Sequence, residues 1–161
     1  MQAMKAADNV VPVPVVAWLG YGGLLPFVAL AAASLLRHYF HGQSALALNG
    51  ALLAYGSVIL SFVGALHWAF AMTLRDLSAN QRAVSFVWSV MPALLAWLAL
   101  LLTPAAASAL LVAGFCVHYW RDVRLAANAD LPGWYLPMRL RLTSVACLCL
   151  TVPLVQRLSE V

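Results

Sequence analysis

Between Arg37 and Arg75 the chain carries no acidic or basic side chain except His38, His41 and His67. A stretch so long without charge has little to offer water, and apolar runs of the same character recur along the rest of the sequence. A helix of about 20 mainly apolar residues crosses the hydrocarbon core of a bilayer. Five runs are read as such helices, at about 15–36, 46–74, 83–102, 105–120 and 142–158. The expected fold is therefore all-α: a polytopic membrane protein, a bundle of five transmembrane helices in a single integral membrane domain over residues 1–161. Composition agrees, because only 9% of the residues are charged and 65% are hydrophobic, whereas a soluble domain is about one-quarter charged.

The basic residues set an orientation. Five spans put Lys5, Arg75, Arg82, Arg121, Arg124, Arg139 and Arg141 on one side and Arg37 and Arg157 on the other. Excess Lys and Arg stay on the cytoplasmic face, so the N-terminus is expected in the cytoplasm. These cations lie at helix ends rather than along one face, which argues against a nucleic-acid partner despite the basic pI. The first run is expected to persist as a span rather than be removed as a signal peptide. It is long for such a segment, and its flank holds Lys5, Asp8, Pro12 and Pro14. Cys116, Cys147 and Cys149 all fall in apolar runs and read as buried free thiols, not as a disulfide framework or a metal set.

His67 lies about 12 Å inside the end of its helix, eight residues before Arg75. An ionisable group at such depth faces other protein or a wet cavity and needs a partner. Ser57, Ser61 and Gly64 precede it at spacings that let helices approach closely, so the second span is expected to be central. Pro26 and Pro92 lie inside the first and third spans, where each frees a carbonyl one turn earlier and marks a kink, at Gly22 and Trp88. Residues 118–143 form a third polar stretch. His118 and Asp122 share a helix face, and Trp134, Tyr135 and Arg139 follow Pro132-Gly133. The plain reading of residues 121–141 is an interfacial loop; the alternative is a lid over a cytoplasm-facing pocket near His67, Trp68 and Trp88.

Catalytic motifs are missing. There is no H-E-x-x-H, C-x-x-C, phosphate-binding glycine loop or nucleophile elbow, and no enzyme is expected. No metal and no cofactor is expected either. A haem held by His67 and His118 is disfavoured, because counting from Arg75 and Arg121 separates the two in depth by roughly 7 Å.

The stretches LGYGGLLPF, YGSVILSFVGALHWA, WSVMPALLAWLAL and WYLPMRLRLT, taken in order, resemble the domain-of-unknown-function 3429 family (DUF3429). The family pattern of a basic residue and Trp followed by Gly in the second span is met by His67-Trp68, with Ala69 in the glycine position. The resemblance implies a small multi-pass protein of bacterial inner membranes with mitochondrial relatives, and it implies no activity or catalytic residue. Two roles follow, the first the leading expectation and the second the alternative. One is a non-enzymatic accessory, assembly or scaffold protein whose partners are the lipid bilayer and another membrane protein or a second copy. The other is a carrier or sensor of a small hydrophobic or weakly charged ligand bound near His67.

Overall fold

A computed structural model describes residues 14–36 and 45–158; Lys5 and Arg37, counted above, lie outside them. Seven α-helices occur among the described residues: α1 (Pro14–Gly22), α2 (Leu25–Leu35), α3 (Ala45–Thr73), α4 (Ala79–Ala99), α5 (Pro104–Ala126), α6 (Tyr135–Leu150) and α7 (Val152–Leu158). Four segments are long and apolar enough to cross a membrane: α1 with α2, α3, α4, and α6 with α7. Their outer faces suit lipid and not water. Trp18 is 80% exposed and Leu148 70%, and in hydrocarbon such side chains need no cover.

Local chemistry explains the boundaries. The first span breaks at Gly22-Gly23, and Pro26 sits in the first turn of the new helix, where its missing N–H costs nothing. The hydroxyl of Tyr55 donates to the carbonyl of Gly23 at 2.8 Å, so the bonded carbonyl lies one residue beyond the expected Gly22. Helix α4 begins at Ala79 rather than near residue 83, because Ser78 and Gln81 form a reciprocal capping box. Arg82 then donates to the carbonyls of Ala71 and Leu74, closing the end of α3. Thr103-Pro104 starts α5 as the turn predicts.

The span read at 105–120 is a longer helix, and the one read at 142–158 starts at Tyr135. The loop expected over 121–141 therefore shrinks to residues 127–134. The apolar count stopped at Trp120, but α5 runs on because Asp122 and Leu125 are buried against the bundle. Helix α6 starts early because Pro137 is tolerated in its first turn and Arg139 is drawn inward. By length α5 could span as well, at about 34 Å for its 23 residues, but its polar last turns lower its mean hydropathy.

Helix α3 is central, touching α2, α4, α5 and α6. Its small residues are used inside the bundle. A Cβ on Gly64 would sit 2.8 Å from the ring of Pro92, and one on Gly56 would meet Leu150 at 2.8 Å. Pro92 is buried in a continuous α4, so its role is to fill the notch at Gly64. Ser57 is buried, while Ser61 donates back to the carbonyl of Ser57 at 2.8 Å instead of bonding across to a neighbour. Phe27, Leu60, Leu111, Phe115 and Leu150 fill the core. Cys116 is exposed on the outer face, contrary to the burial expected of all three thiols, while Cys147 and Cys149 are half-buried.

A second polar contact ties the far end together. Ser34 donates to Asn49 at 2.6 Å, and Asn49 to Gln156 at 2.8 Å. These bonds join α2, α3 and α7 about 27 Å along α3 from His67.

Gly64→Val is expected to destabilise the protein by about 1–3 kcal/mol, because the proline ring opposite is rigid. Gly50→Ala, where no atom lies within 4 Å of the new Cβ, should leave stability unchanged or raise it by up to about 1 kcal/mol. Unfolding of both variants in mild detergent would test the contrast.

Candidate functional site: a buried polar network on Asp122

The depth of His67 posed the question of what it touches, and the answer lies on α5. Three turns of three helices converge: His67 from α3, His118 and Asp122 from α5, Arg139 from α6. Their exposures are 1%, 0%, 0% and 7%. His67 Nε2 donates to Asp122 Oδ1 at 3.0 Å, and Arg139 Nε donates to Asp122 Oδ2 at 2.8 Å. His118 Nε2 lies 3.8 Å from Oδ1, too far for a hydrogen bond. On its other edge His118 Nδ1 accepts from Trp88 Nε1 at 3.2 Å, with the two ring planes within 8°.

These contacts determine protonation. An indole N–H can only donate, so His118 Nδ1 is unprotonated and the ring is neutral, with its proton on Nε2. His67 carries its own proton on Nε2, facing the carboxylate. Asp122 and Arg139 then cancel each other's charge. That matters because an unpaired ion in a low-dielectric interior is far more costly than a paired one.

The same proton bookkeeping tests a metal. The ligating atoms of His67, His118 and Asp122 lie within 4.8 Å of one another, a spacing a cation could bridge. Yet ligation through His118 Nε2 requires that nitrogen to be bare and Nδ1 to carry the proton. Trp88 would then oppose an N–H to an N–H. The residues present do not fit a metal with Trp88 where it is. Depth does not separate the two histidines as the sequence count implies: the His67 and His118 ring centroids are 5.1 Å apart. Arg121 does not mark the helix end, since α5 continues to Ala126, so His118 lies deeper than the count from Arg121 implied. The two rings meet edge to face at 72°, which leaves no slot for a macrocycle between them.

Of the other expected residues, Tyr135 is buried beside the network and packs edge-on to Phe70 at 5.6 Å. Trp68 stays outside, half exposed and packed on Phe86 at 5.0 Å. Trp134 is half-buried against Tyr135. The network is flanked by two cavities. On one side a cleft of about 650 Å³ runs between α1, α2, α3 and α6, walled by apolar side chains with Tyr135, Arg139 and Thr143 among them. On the other, a small recess of about 180 Å³ is lined by His67, Asn80, Gln81, Arg121 and Arg124 together with Leu77, Val84 and Leu125. Sequence reasoning missed Thr143 and the Ser34–Asn49–Gln156 contact; single polar residues near helix ends give no signal unless their partners are known.

Asp122→Asn should destabilise the protein by about 3–5 kcal/mol, because Arg139 is left buried without a counter-charge. The double variant Asp122→Leu with Arg139→Met removes both charges and should recover most of that loss. Denaturant titrations of wild type and the two variants in detergent would measure it. Equal stability of wild type and Asp122→Asn would mean that the pair is not buried.

Comparison with known proteins agrees with this architecture. Residues 12–155 match the family described as "Protein of unknown function (DUF3429)". A curated relative, Transmembrane protein 69 of Xenopus tropicalis, is 34% identical over 142 residues. The match covers 86% of this chain and 53% of the relative, so the chain spans about half the length of that protein. No solved structure matches. With a family match over nearly all its length and helices fit to cross a membrane, the chain belongs to the DUF3429 family of membrane proteins.

Proposed function

We propose that the protein is a non-enzymatic carrier or sensor that holds a lipid-like amphiphile in the cleft between α1, α2, α3 and α6. The observation that carries this reading is the make-up of the cleft. Its volume of about 650 Å³ lies within the roughly 300–1,000 Å³ of small-molecule sites. Its wall is apolar except on one face of α6, where Tyr135, Arg139 and Thr143, four residues apart in turn, belong to the lining. Thr143 Oγ1 and Arg139 Nη2 are buried without a hydrogen-bond partner among the described residues, and the Tyr135 hydroxyl lies close to Asp122 and Arg139. Buried donors of this kind are costly to leave unmade, and a ligand acceptor group would satisfy them. Because Asp122 already neutralises Arg139, a neutral or weakly charged head suits the site better than a full anion.

An assembly role through the small-residue faces has less support, since Gly56, Gly64 and Gly114 are packed against Leu150, Pro92 and Leu60 of the same chain. For topology, we take α5 as a fifth span and the end carrying Arg75, Arg82, Arg121 and Arg124 as cytoplasmic, in a bacterial inner membrane. The length of α5 and the charge bias support that arrangement.

Photoactivatable monoacylglycerol, incorporated into nanodiscs with the full chain, tests the cleft. Labelling should map to the cleft faces of α3 and α6. Leu66→Trp and Leu142→Trp, which fill the cleft, should cut labelling about tenfold, equivalent to about 1.4 kcal/mol. Leu148→Trp, on the 70% exposed outer surface, should not change it. Equal labelling of all three variants would contradict the proposal.

A further inference from the structure

The recess on the opposite side of His67 has a different character. Among the described residues every ion pair ends on Asp122, so Arg121 and Arg124 have no carboxylate partner. They stand three residues apart on α5 and repel each other. Each guanidinium rests on an indole instead: Arg121 over Trp88 at 5.2 Å and Arg124 over Trp120 at 4.6 Å. An indole face holds a guanidinium plane while leaving its edge N–H groups free to donate.

Neutral amides complete the ring. Asn80 and Gln81, in the first turn of α4, line the recess with Asn128; one N–H of Asn128 is spent on the Arg124 carbonyl and the Gln81 oxygen on the cap at Ser78, which leaves their other amide N–H groups to donate. The floor is His67, 99% buried. Its Nε2–H is spent on Asp122, and its Nδ1 makes no hydrogen bond among the described residues. A neutral ring bonded to Asp122 in this way offers Nδ1 as an acceptor. The recess thus presents several donors, two unmatched positive charges and one acceptor. Its 180 Å³ is too small for a nucleotide and sufficient for one oxyanion.

We propose that this recess binds inorganic phosphate, or a phosphate monoester in its singly protonated form, an oxyanion that keeps an O–H. Arg121, Arg124 and the amides receive its bare oxygens, and the retained proton is donated to His67 Nδ1. Sulfate has no such proton near neutral pH, so its oxygen would face the imidazole lone pair and be repelled. The same logic rejects phosphodiesters such as phosphatidylcholine, which serves as a silent host membrane. The site is separate from the apolar cleft and stands or falls independently of it.

The test uses the full chain in phosphatidylcholine nanodiscs. Inorganic phosphate is titrated by calorimetry in one arm. In the other, retention of phosphatidic acid doped into the disc is followed by native mass spectrometry. Binding in the first arm identifies a soluble phosphate, and binding in the second alone identifies a lipid head group; either supports the site. Arg121→Gln with Arg124→Gln, both at or near the surface, should weaken binding about tenfold or more, while Arg157→Gln should not. Sulfate should bind at least about tenfold more weakly than phosphate. Binding in neither arm, or affinity unchanged by the double variant, would overturn the proposal. Sulfate binding as tightly as phosphate would overturn the role given to His67.

Discussion

A carboxylate with no exposed surface must be neutralised where it sits, and Asp122 is such a group. It cannot reach water, so its partners have to come to it. Arg139 supplies the charge and a hydrogen bond at 2.8 Å, and His67 supplies a second at 3.0 Å. Because these residues belong to three different helices, satisfying one oxygen pair locks α3, α5 and α6 in register. Lipid gives little driving force for helices to associate, so polar contacts of this kind carry more of the specificity than they would in a water-soluble bundle. The Ser34–Asn49–Gln156 contact does similar work at the far end with neutral groups.

Much of this architecture could be read from the residues. The apolar runs give the helices, and the small residues before His67 mark α3 as central. A histidine at that depth announces a partner, and the four-residue spacing of His118 and Asp122 puts them on one face. What failed was the reading of charge. Hydropathy treats Arg139 and Asp122 as loop residues because each alone is incompatible with a buried position. Their compatibility is a property of the pair, and the pair is formed between residues 17 apart across a turn. The same blindness ended the fourth span at Trp120 and set His118 too shallow. Prolines gave a related lesson: Pro92 was legible as a break in bonding, but only packing reveals that its ring fills the space opposite Gly64.

The network also separates two unlike cavities. His67 lines the small recess and Arg139 lines the apolar cleft, and Asp122 joins them by one carboxylate. A change at either cavity that altered the hydrogen bond of one residue would be felt by the other through that shared acceptor. Trp88 has a comparable position, since its N–H fixes the tautomer of His118 while its face supports Arg121. The residues that hold the fold and the residues that border the cavities are therefore largely the same, which accounts for a polar cluster that is costly to bury and yet central.

Solid-state nitrogen NMR on histidine-labelled protein in lipid bilayers examines this arrangement most directly. The account predicts a neutral His118 with its proton on Nε2 and a bare Nδ1, and a His67 whose protonated Nε2 shows a through-space contact to the Asp122 carboxyl carbon. A proton on His118 Nδ1, or no contact between His67 and Asp122, would contradict it.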